Sequence, residues 1–247
     1  LALLVALSLQ VGVNYANDYS VGIKVSDDDR VGPLRWVGSQ LVEPKHVKMA
    51  ALGFLGLGAV LGFVLAATSS WWLLLVGVAA LAAAWGYTGG SNPYGYRALG
   101  EVSVFLFFGL VAVLGTTFVQ LGTVNNASIA GSIGIGALAC VILVANNLRD
   151  RAKDELVGKR TLAVVLGDRK TRYLFLALNG LAVLTLVALI PLTWWALLGL
   201  AAAPWMVRST RAIMAGAEGE ELIAVLGDTG RAELFYAIGL TLGLLVA

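Results

Sequence analysis

Between residues 49 and 96, and again between 102 and 148, the chain has no aspartate, glutamate, lysine or arginine. Charged residues are 13% of the 247 and hydrophobic ones 59%, which excludes a disordered, solvated chain. The one cysteine, Cys140, falls inside an apolar run. Neither a disulfide framework nor a thiolate metal site can therefore form, and Cys140 reads as a small packed residue. The one histidine, His46, sits in a basic loop with no metal-ligand partner at helical spacing, which leaves it outside any catalytic centre. The 30 glycines follow no repeat, so collagen-like structure is excluded. Net charge is only +2, with both signs sharing the same loops, so no one-signed face exists for nucleic acid. A basic segment followed by a small-residue cleavage site is also missing, and residues 1–17 read as a truncated spanning helix rather than a signal peptide.

What charge there is lies in four windows: Asp18 to Lys48, Arg97 to Glu101, Arg149 to Arg172 and Arg208 to Glu233. Each charge-free stretch is long enough to cross a bilayer twice at about 20 residues per span. Weak turn signals divide the apolar sequence into hairpins of 47–67 with 71–87, 102–119 with 129–147, and 173–190 with 192–207. With apolar segments at each end of the chain this gives eight spans, an all-α polytopic transmembrane bundle and a single domain over 1–247. Lys and Arg flank one set of span ends, the cytoplasmic one by the positive-inside tendency; Trp71, Trp72, Trp194 and Trp195 sit at the opposite turns, at headgroup level. Gly58 and Gly62, at small-xxx-small spacing, predict close helix contact.

Two helix ends in the charged windows share a pattern. Asn14 and Asp18 lie four residues apart, and Asn146, Asp150 and Asp154 repeat that spacing. Each step of four advances about 40° and about 6 Å along an α-helix, so the polar groups form a ladder on one face. One aspartate at a helix end is commonly just solvated, but acids at membrane depth tend to face a site. Negative charge at a helix C-terminus also opposes the macrodipole and calls for a cation. Oxygen-only ligands point to a hard ion, and Mg²⁺ commonly uses one or two carboxylates with substrate phosphates. Basic residues interleave with the acids: Lys24, Arg30 and Arg35 after the first ladder, Arg149, Arg151, Lys153, Lys159 and Arg160 around the second. Such mixing suits a metal-bridged phosphate. It also suits the orientation of any membrane protein.

The stretches NYANDYS (14–20), DDDRVGPLR (27–35), YTGGSNPYGYRALGE (87–101) and VANNLRDRAKDELVGKRTLAVVLG (144–167) resemble the UbiA-type intramembrane prenyltransferases, within them the branch acting on 1,4-dihydroxy-2-naphthoate in menaquinone biosynthesis. The resemblance covers nearly the whole chain. It implies nine helices around a central cavity, of which eight are present, and an active site at the cytoplasmic face of a bacterial inner membrane. It further implies that Asn14, Asp18, Asn146, Asp150 and Asp154 hold Mg²⁺, that Asp18, Asp150 and Asp154 are catalytic, and that Asn14, Lys24, Arg30, Arg35, Arg149 and Lys159 contact the diphosphate. Two positions depart from the family's pattern: Val21 stands where a second acid is usual, and Asn92 where a lysine is usual in the GGSNP segment.

On this resemblance a polyprenyl diphosphate ionises at the acids, an aromatic acceptor attacks the allylic cation, and loss of CO₂ gives demethylmenaquinone. Phe105, Phe107, Phe108 and Trp85 are candidates to shield the cation from water. Tyr87, Tyr94, Tyr96 and Asn147 are candidates to orient the acceptor, and the residues do not choose among the tyrosines. Another aromatic acceptor, a terpene cyclase with no acceptor, and a transporter remain as alternatives. Transport predicts charges or helix breaks at the bilayer midplane, whereas these acids cluster at one interface.

Overall fold

The computed structural model describes residues 1–23 and 35–247. The chain is an all-α membrane protein, with eight helical rods among the described residues. They group into two compact units, Leu1–Tyr96 and Arg97–Ala247. Four rods are long and apolar enough to cross a membrane: Pro44–Thr68, Gly100–Leu121, Asn126–Leu156 and Leu162–Ala188.

In the first unit, α1 (Ala2–Gly22), α2 (Pro44–Thr68) and α3 (Leu73–Gly86) pack together. The buried residues of α1, Ser8, Gly12, Ala16 and Ser20, recur every fourth position. Small side chains on that stripe let α2 come close: a Cβ on Gly58 would lie 2.9 Å from Leu9 Cδ2. The expected partner position differs, because Gly62 faces open space with no atom within 4 Å of a built Cβ. Only Gly58 of that pair serves helix contact.

The second unit begins with a composite rod: α4 (Gly100–Val104), a π-helical segment (Phe105–Val111) and α5 (Ala112–Leu121). It lies along α6 (Asn126–Leu156), whose start is fixed by a capping box between Asn125 and Ser128. The crossing is made by two glycines. A Cβ on Gly109 would sit 2.6 Å from the Gly136 Cα, so any side chain there forces the backbones apart. Phe105 fills the space beside Gly136, while Phe108 is exposed on the outer apolar face.

After α6 come α7 (Leu162–Ala188), a 3₁₀ segment (Trp194–Ala202) continuing into α8 (Ala203–Met214), and α9 (Glu221–Leu245). Their core includes Leu138, Phe175, Leu186 and Tyr236, all fully buried. The Tyr236 hydroxyl lies 2.6 Å from Thr185 Oγ1, and both reach the Ala182 carbonyl, so its polar end is satisfied inside the apolar core. Trp194 and Trp195 stack at 3.9 Å in their turn, and Trp71 packs edge-on against Phe63 in the other.

The rods run past the apolar segments expected of them. α7 starts at Leu162 instead of near residue 173, and α9 at Glu221 instead of near 234. The added turns carry charges that pair with one another. Arg172 Nε and Nη2 donate to Asp168 at 2.8 and 2.9 Å, and Nη1 donates to the Ile213 and Ala217 carbonyls at the end of α8. Buried Asp228 on α9 takes Arg208 at 3.0 Å and Arg231 at 3.2 Å. α7 bends at Gly167, whose φ of 75° and ψ of 171° interrupt the helix.

Replacing Gly109 by Val is expected to destabilise the protein by about 1–3 kcal/mol, the usual range for overpacking. Gly115→Ala, with nothing within 4 Å of its built Cβ, should be neutral or stabilising by up to about 1 kcal/mol. Thermal unfolding of both variants in detergent measures the contrast.

Candidate active site

Because α6 continues to Leu156, Asn146, Asp150 and Asp154 remain successive rungs on one helix. Their oxygens are met by cations from the same stretch of chain. Arg149 Nε donates to Asp150 Oδ1 at 2.8 Å and Nη2 to Oδ2 at 2.9 Å, a bidentate pair; Nη2 also donates to Asn146 Oδ1 at 2.8 Å. One guanidinium thus ties two rungs together. The third is held separately: Lys159 Nζ lies 3.1 Å from each oxygen of buried Asp154. Lys159 is brought back to Asp154 by the turn that ends α6, where its own N–H donates to the Asp154 carbonyl at 2.8 Å. The next residue accepts from Ala98 N–H at 2.8 Å, which fastens this turn to the segment before α4. The cation that the macrodipole demands at this C-terminus is therefore present in the chain itself.

The first unit's ladder is built differently. Asp18 is half-buried near the end of α1 and accepts the Trp36 N–H at 3.0 Å on Oδ2 and the Val37 N–H at 3.2 Å on Oδ1. Its carboxylate anchors the turn at 36–40, within which the Ser39 hydroxyl donates to the Arg35 carbonyl. Asn14 is exposed one turn earlier on α1. Asn17, beside Asp18 in sequence, accepts a hydrogen bond from the Thr88 hydroxyl at 2.7 Å, which joins α1 to the segment after α3. Lys24 and Arg30 lie outside the described residues.

Asn147 belongs to a cluster that sequence reading did not foresee. Its amide nitrogen donates to Glu101 Oε1 at 2.9 Å, and Cys140 Sγ donates to the Glu101 carbonyl at 3.1 Å. Glu101 is buried, and its Oε2 has no hydrogen-bond partner among the described residues. A signal was available: Glu101 is a lone carboxylate opening a span that carries no other charge, where an acid needs a polar partner. The identity of that partner, 46 residues away, was not readable.

The tyrosines pack with each other. Tyr87 and Tyr94 meet edge to face at 5.6 Å, the Tyr94 hydroxyl donates to the Ala83 carbonyl at 2.8 Å, and Gly95 N–H donates to the Tyr87 carbonyl at 3.0 Å. Tyr96 is half-buried just beyond. The Tyr94 hydroxyl is thus committed to the backbone of α3, which favours a supporting role for it.

Among the described residues no three His, Cys, Asp or Glu side chains gather into a group able to hold a metal ion by themselves. The donors on α6 are instead two carboxylates and one amide oxygen, already matched to an arginine and a lysine. Such a set fits Mg²⁺ that completes its coordination with phosphate oxygens and water. It also fits a polyanion alone, since Arg149 and Lys159 form the same charge-assisted bonds to phosphate as to carboxylate.

The sequence profile of the UbiA prenyltransferase family matches residues 1–239. The chain is 52% identical over 239 residues to the 1,4-dihydroxy-2-naphthoate octaprenyltransferase of Mycobacterium tuberculosis (strain ATCC 25618 / H37Rv), covering 96% of this chain and 82% of the relative. To the protein of the same name from Mycobacterium leprae (strain TN) it is 48% identical over 248 residues, covering 100% and 84%. To that of Escherichia coli (strain K12) it is 35% identical over 257 residues, covering 100% and 83%.

Removing the Asp18 carboxylate should loosen the turn it anchors. In Asp18→Ala the Trp36 and Val37 amides lose a charged acceptor, a bond worth about 1.5–3 kcal/mol, so their hydrogen exchange is expected to quicken by at least about tenfold. Exchange mass spectrometry of peptides from 35–43 and from α1 checks this, with α1 unchanged.

Proposed function

Because the chain belongs to the UbiA prenyltransferase family, we propose that it transfers a polyprenyl chain from polyprenyl diphosphate to 1,4-dihydroxy-2-naphthoate, with release of diphosphate and CO₂, as a step of menaquinone biosynthesis. The acceptor rests on likeness to relatives of that name over at least 96% of this chain. The observation that carries the chemistry is the paired end of α6. There two acids and an amide are balanced by Arg149 and Lys159 at the terminus of a helix apolar enough to span a bilayer.

Residues 1–247 are read as one prenyltransferase domain of a bacterial cell membrane, with the acidic helix ends facing the cytoplasm. Asp18, Asp150 and Asp154, with Asn14 and Asn146, are the residues assigned to hold Mg²⁺, which when bound would draw off charge developing on the leaving diphosphate. Arg149 and Lys159 have a second task. They neutralise Asp150 and Asp154; their N–H bonds can pass to the oxygens of an arriving phosphate, which would leave the carboxylates free to hold the metal. Charge at the site is then balanced both before and after binding, and the donors are already oriented when the leaving group gains charge. Lys24, Arg30 and Arg35 are assigned to the diphosphate on the family resemblance.

Breaking the C1–O bond of the prenyl diphosphate leaves an allylic cation, and the bonding electrons depart with diphosphate. The carboxyl-bearing carbon of the electron-rich ring forms the new C–C bond. Loss of that carboxylate as CO₂ returns its bonding pair to the ring, and the product is the prenylated naphthalenediol, the reduced form of demethylmenaquinone. Apolar side chains of the spanning rods would keep water from the cation, and Asn147, held by Glu101, is assigned to the acceptor.

Protein in detergent, given polyprenyl diphosphate, dihydroxynaphthoate and Mg²⁺, is expected to release CO₂ and prenylated product in equal amounts. Asp150→Asn should lower turnover by at least about a hundredfold, the upper end of what loss of an outer-shell metal partner costs. Cyclised hydrocarbon without acceptor consumption would replace this reading with a cyclase. Unchanged turnover in the variant would remove Asp150 from the metal site.

A further inference from the structure

α8 and α9 carry charge where their uncharged stretches end. Residues 173–207 contain no Asp, Glu, Lys or Arg, and Arg208 follows directly; from Leu234 to Ala247 there is none either. Arg208 and Arg231 therefore stand at one boundary, where apolar sequence gives way to charge on two helices packed together. They meet on a single side chain: Asp228 Oδ2 lies 3.0 Å from Arg208 Nε, and Oδ1 lies 3.2 Å from Arg231 Nη1. The Asp228 side chain is 3% exposed, whereas those of Arg208 and Arg231 are 71% and 59% exposed. A guanidinium has several N–H donors, and one nitrogen of each is given to Asp228. The buried carboxylate thus holds two exposed forks side by side and leaves most of their donors to an outside ligand.

About one turn into the apolar sequence an aromatic pair fixes this arrangement. Trp205 on α8 and Phe235 on α9 stack with ring centres 4.2 Å apart and planes 8° from parallel. Trp205 lies one turn before Arg208 and Phe235 one turn after Arg231, spacings that make each aromatic a neighbour of its arginine on the helix surface. Trp205 is half-buried, and tryptophan is favoured at the headgroup level of a bilayer. Below Arg231, Leu234, Ile238, Leu242 and Leu245 are all exposed. They stand within about 60° of the arginine around the axis of α9, while Glu233 is about 160° away. An apolar stripe free of negative charge therefore runs from the arginine pair along the outside of the helix. Arg211, one turn after Arg208 in α8, adds a further exposed positive charge.

We propose that Arg208 and Arg231 bind the phosphate of an anionic phospholipid whose acyl chain lies along the α9 stripe from Leu234 to Leu245. Charge and apolar surface select this occupant together. A soluble phosphate suits the guanidiniums, which can hold its oxygens bidentately, but it leaves the stripe uncovered. A zwitterionic lipid covers the stripe but brings a cation of its own to the arginines. Prenyl diphosphate is already assigned to Arg149 and Lys159 on and after α6. The lipid site stands apart from those residues and does not depend on the prenyltransferase reading. Its effect falls on α8 and α9: a phosphate shared by Arg208 and Arg231 joins the two helices from outside, as Asp228 joins them from within.

The test uses the full chain in detergent, with dioleoyl phosphatidylglycerol and dioleoyl phosphatidylcholine as probes that differ only in headgroup. Phosphatidylglycerol is expected to raise the thermal unfolding temperature more than phosphatidylcholine does, because it binds the folded state more tightly, and native mass spectrometry measures the bound lipid directly. Arg208→Gln and Arg231→Gln each leave Asp228 one partner. Each is expected to weaken phosphatidylglycerol binding by about tenfold or more, as loss of a hydrogen bond to a charged group does, with phosphatidylcholine binding unchanged. Lys170→Gln, which removes an exposed charge on α7, should keep the wild-type affinity. Arg208→Lys keeps a positive charge beside Asp228 and loses the fork; its affinity should fall between wild type and Arg208→Gln, and it replaces that variant if Arg208→Gln does not fold. Equal protection by the two lipids would overturn the proposal, as would wild-type phosphatidylglycerol affinity in the arginine variants or an equal loss in Lys170→Gln. Protection by inorganic phosphate or pyrophosphate that Arg208→Gln abolishes would overturn it too, since the pair would then hold an anion without a lipid.

Discussion

An ion at the edge of hydrocarbon has little water to solvate it, and leaving it unpaired costs about several kcal/mol. Every paired acid described above answers that constraint with a partner from nearby in sequence or from the helix packed beside it. Asp150 takes Arg149, Asp154 takes Lys159, Asp168 takes Arg172, and Asp228 takes Arg208 and Arg231. Helices can therefore extend beyond their apolar stretches and still remain folded where the lipid ends. The same pairing places a row of ready donors and acceptors at the end of α6, which is the raw material of the proposed site.

Eight apolar segments could be read from the sequence because charge is so sharply segregated, and all eight appear as helical rods. Their ends could not be read. α7 and α9 begin about a dozen residues early because Asp168 with Arg172, and Asp228 with Arg231, are three or four positions apart and close on themselves only once the helix exists. Among the described residues, four rods are long and apolar enough to cross a membrane by length and composition. α9, with Asp228, Arg231 and Glu233 along its length, is not among them. Its charges are legible in the sequence, but the burial of Asp228 against Arg208 is a matter of packing.

The polar ladders were legible as spacing and ambiguous as chemistry. On α6 the spacing gives rungs on one face, but which cation meets which rung depends on the turn that brings Lys159 back. On α1 the carboxylate of Asp18 spends both oxygens on backbone amides 18 and 19 residues away. That bond leaves no mark in any local pattern. The acid is thus a fastener for a turn as well as a metal-ligand candidate, and the two tasks are compatible because a carboxylate has about four acceptor positions. Glu101 with Asn147 is the long-range case within the second unit, visible beforehand only as an acid in an otherwise uncharged span.

The π-helical segment at Phe105–Val111 places one more residue in its turn than an α-helix would, and it lies between Glu101 and the rest of its rod. Such a turn is an i→i+5 stretch held inside an otherwise continuous helix. Loss of a single residue there would leave the rod just as apolar, yet would rotate one end against the other by about 100°. With Gly109 held against Gly136, the rotation would carry Glu101 away from Asn147. In this rod, chain length is itself heritable information: two sequences of nearly the same composition and hydropathy, one shorter by a single residue in this turn, would encode different polar interiors.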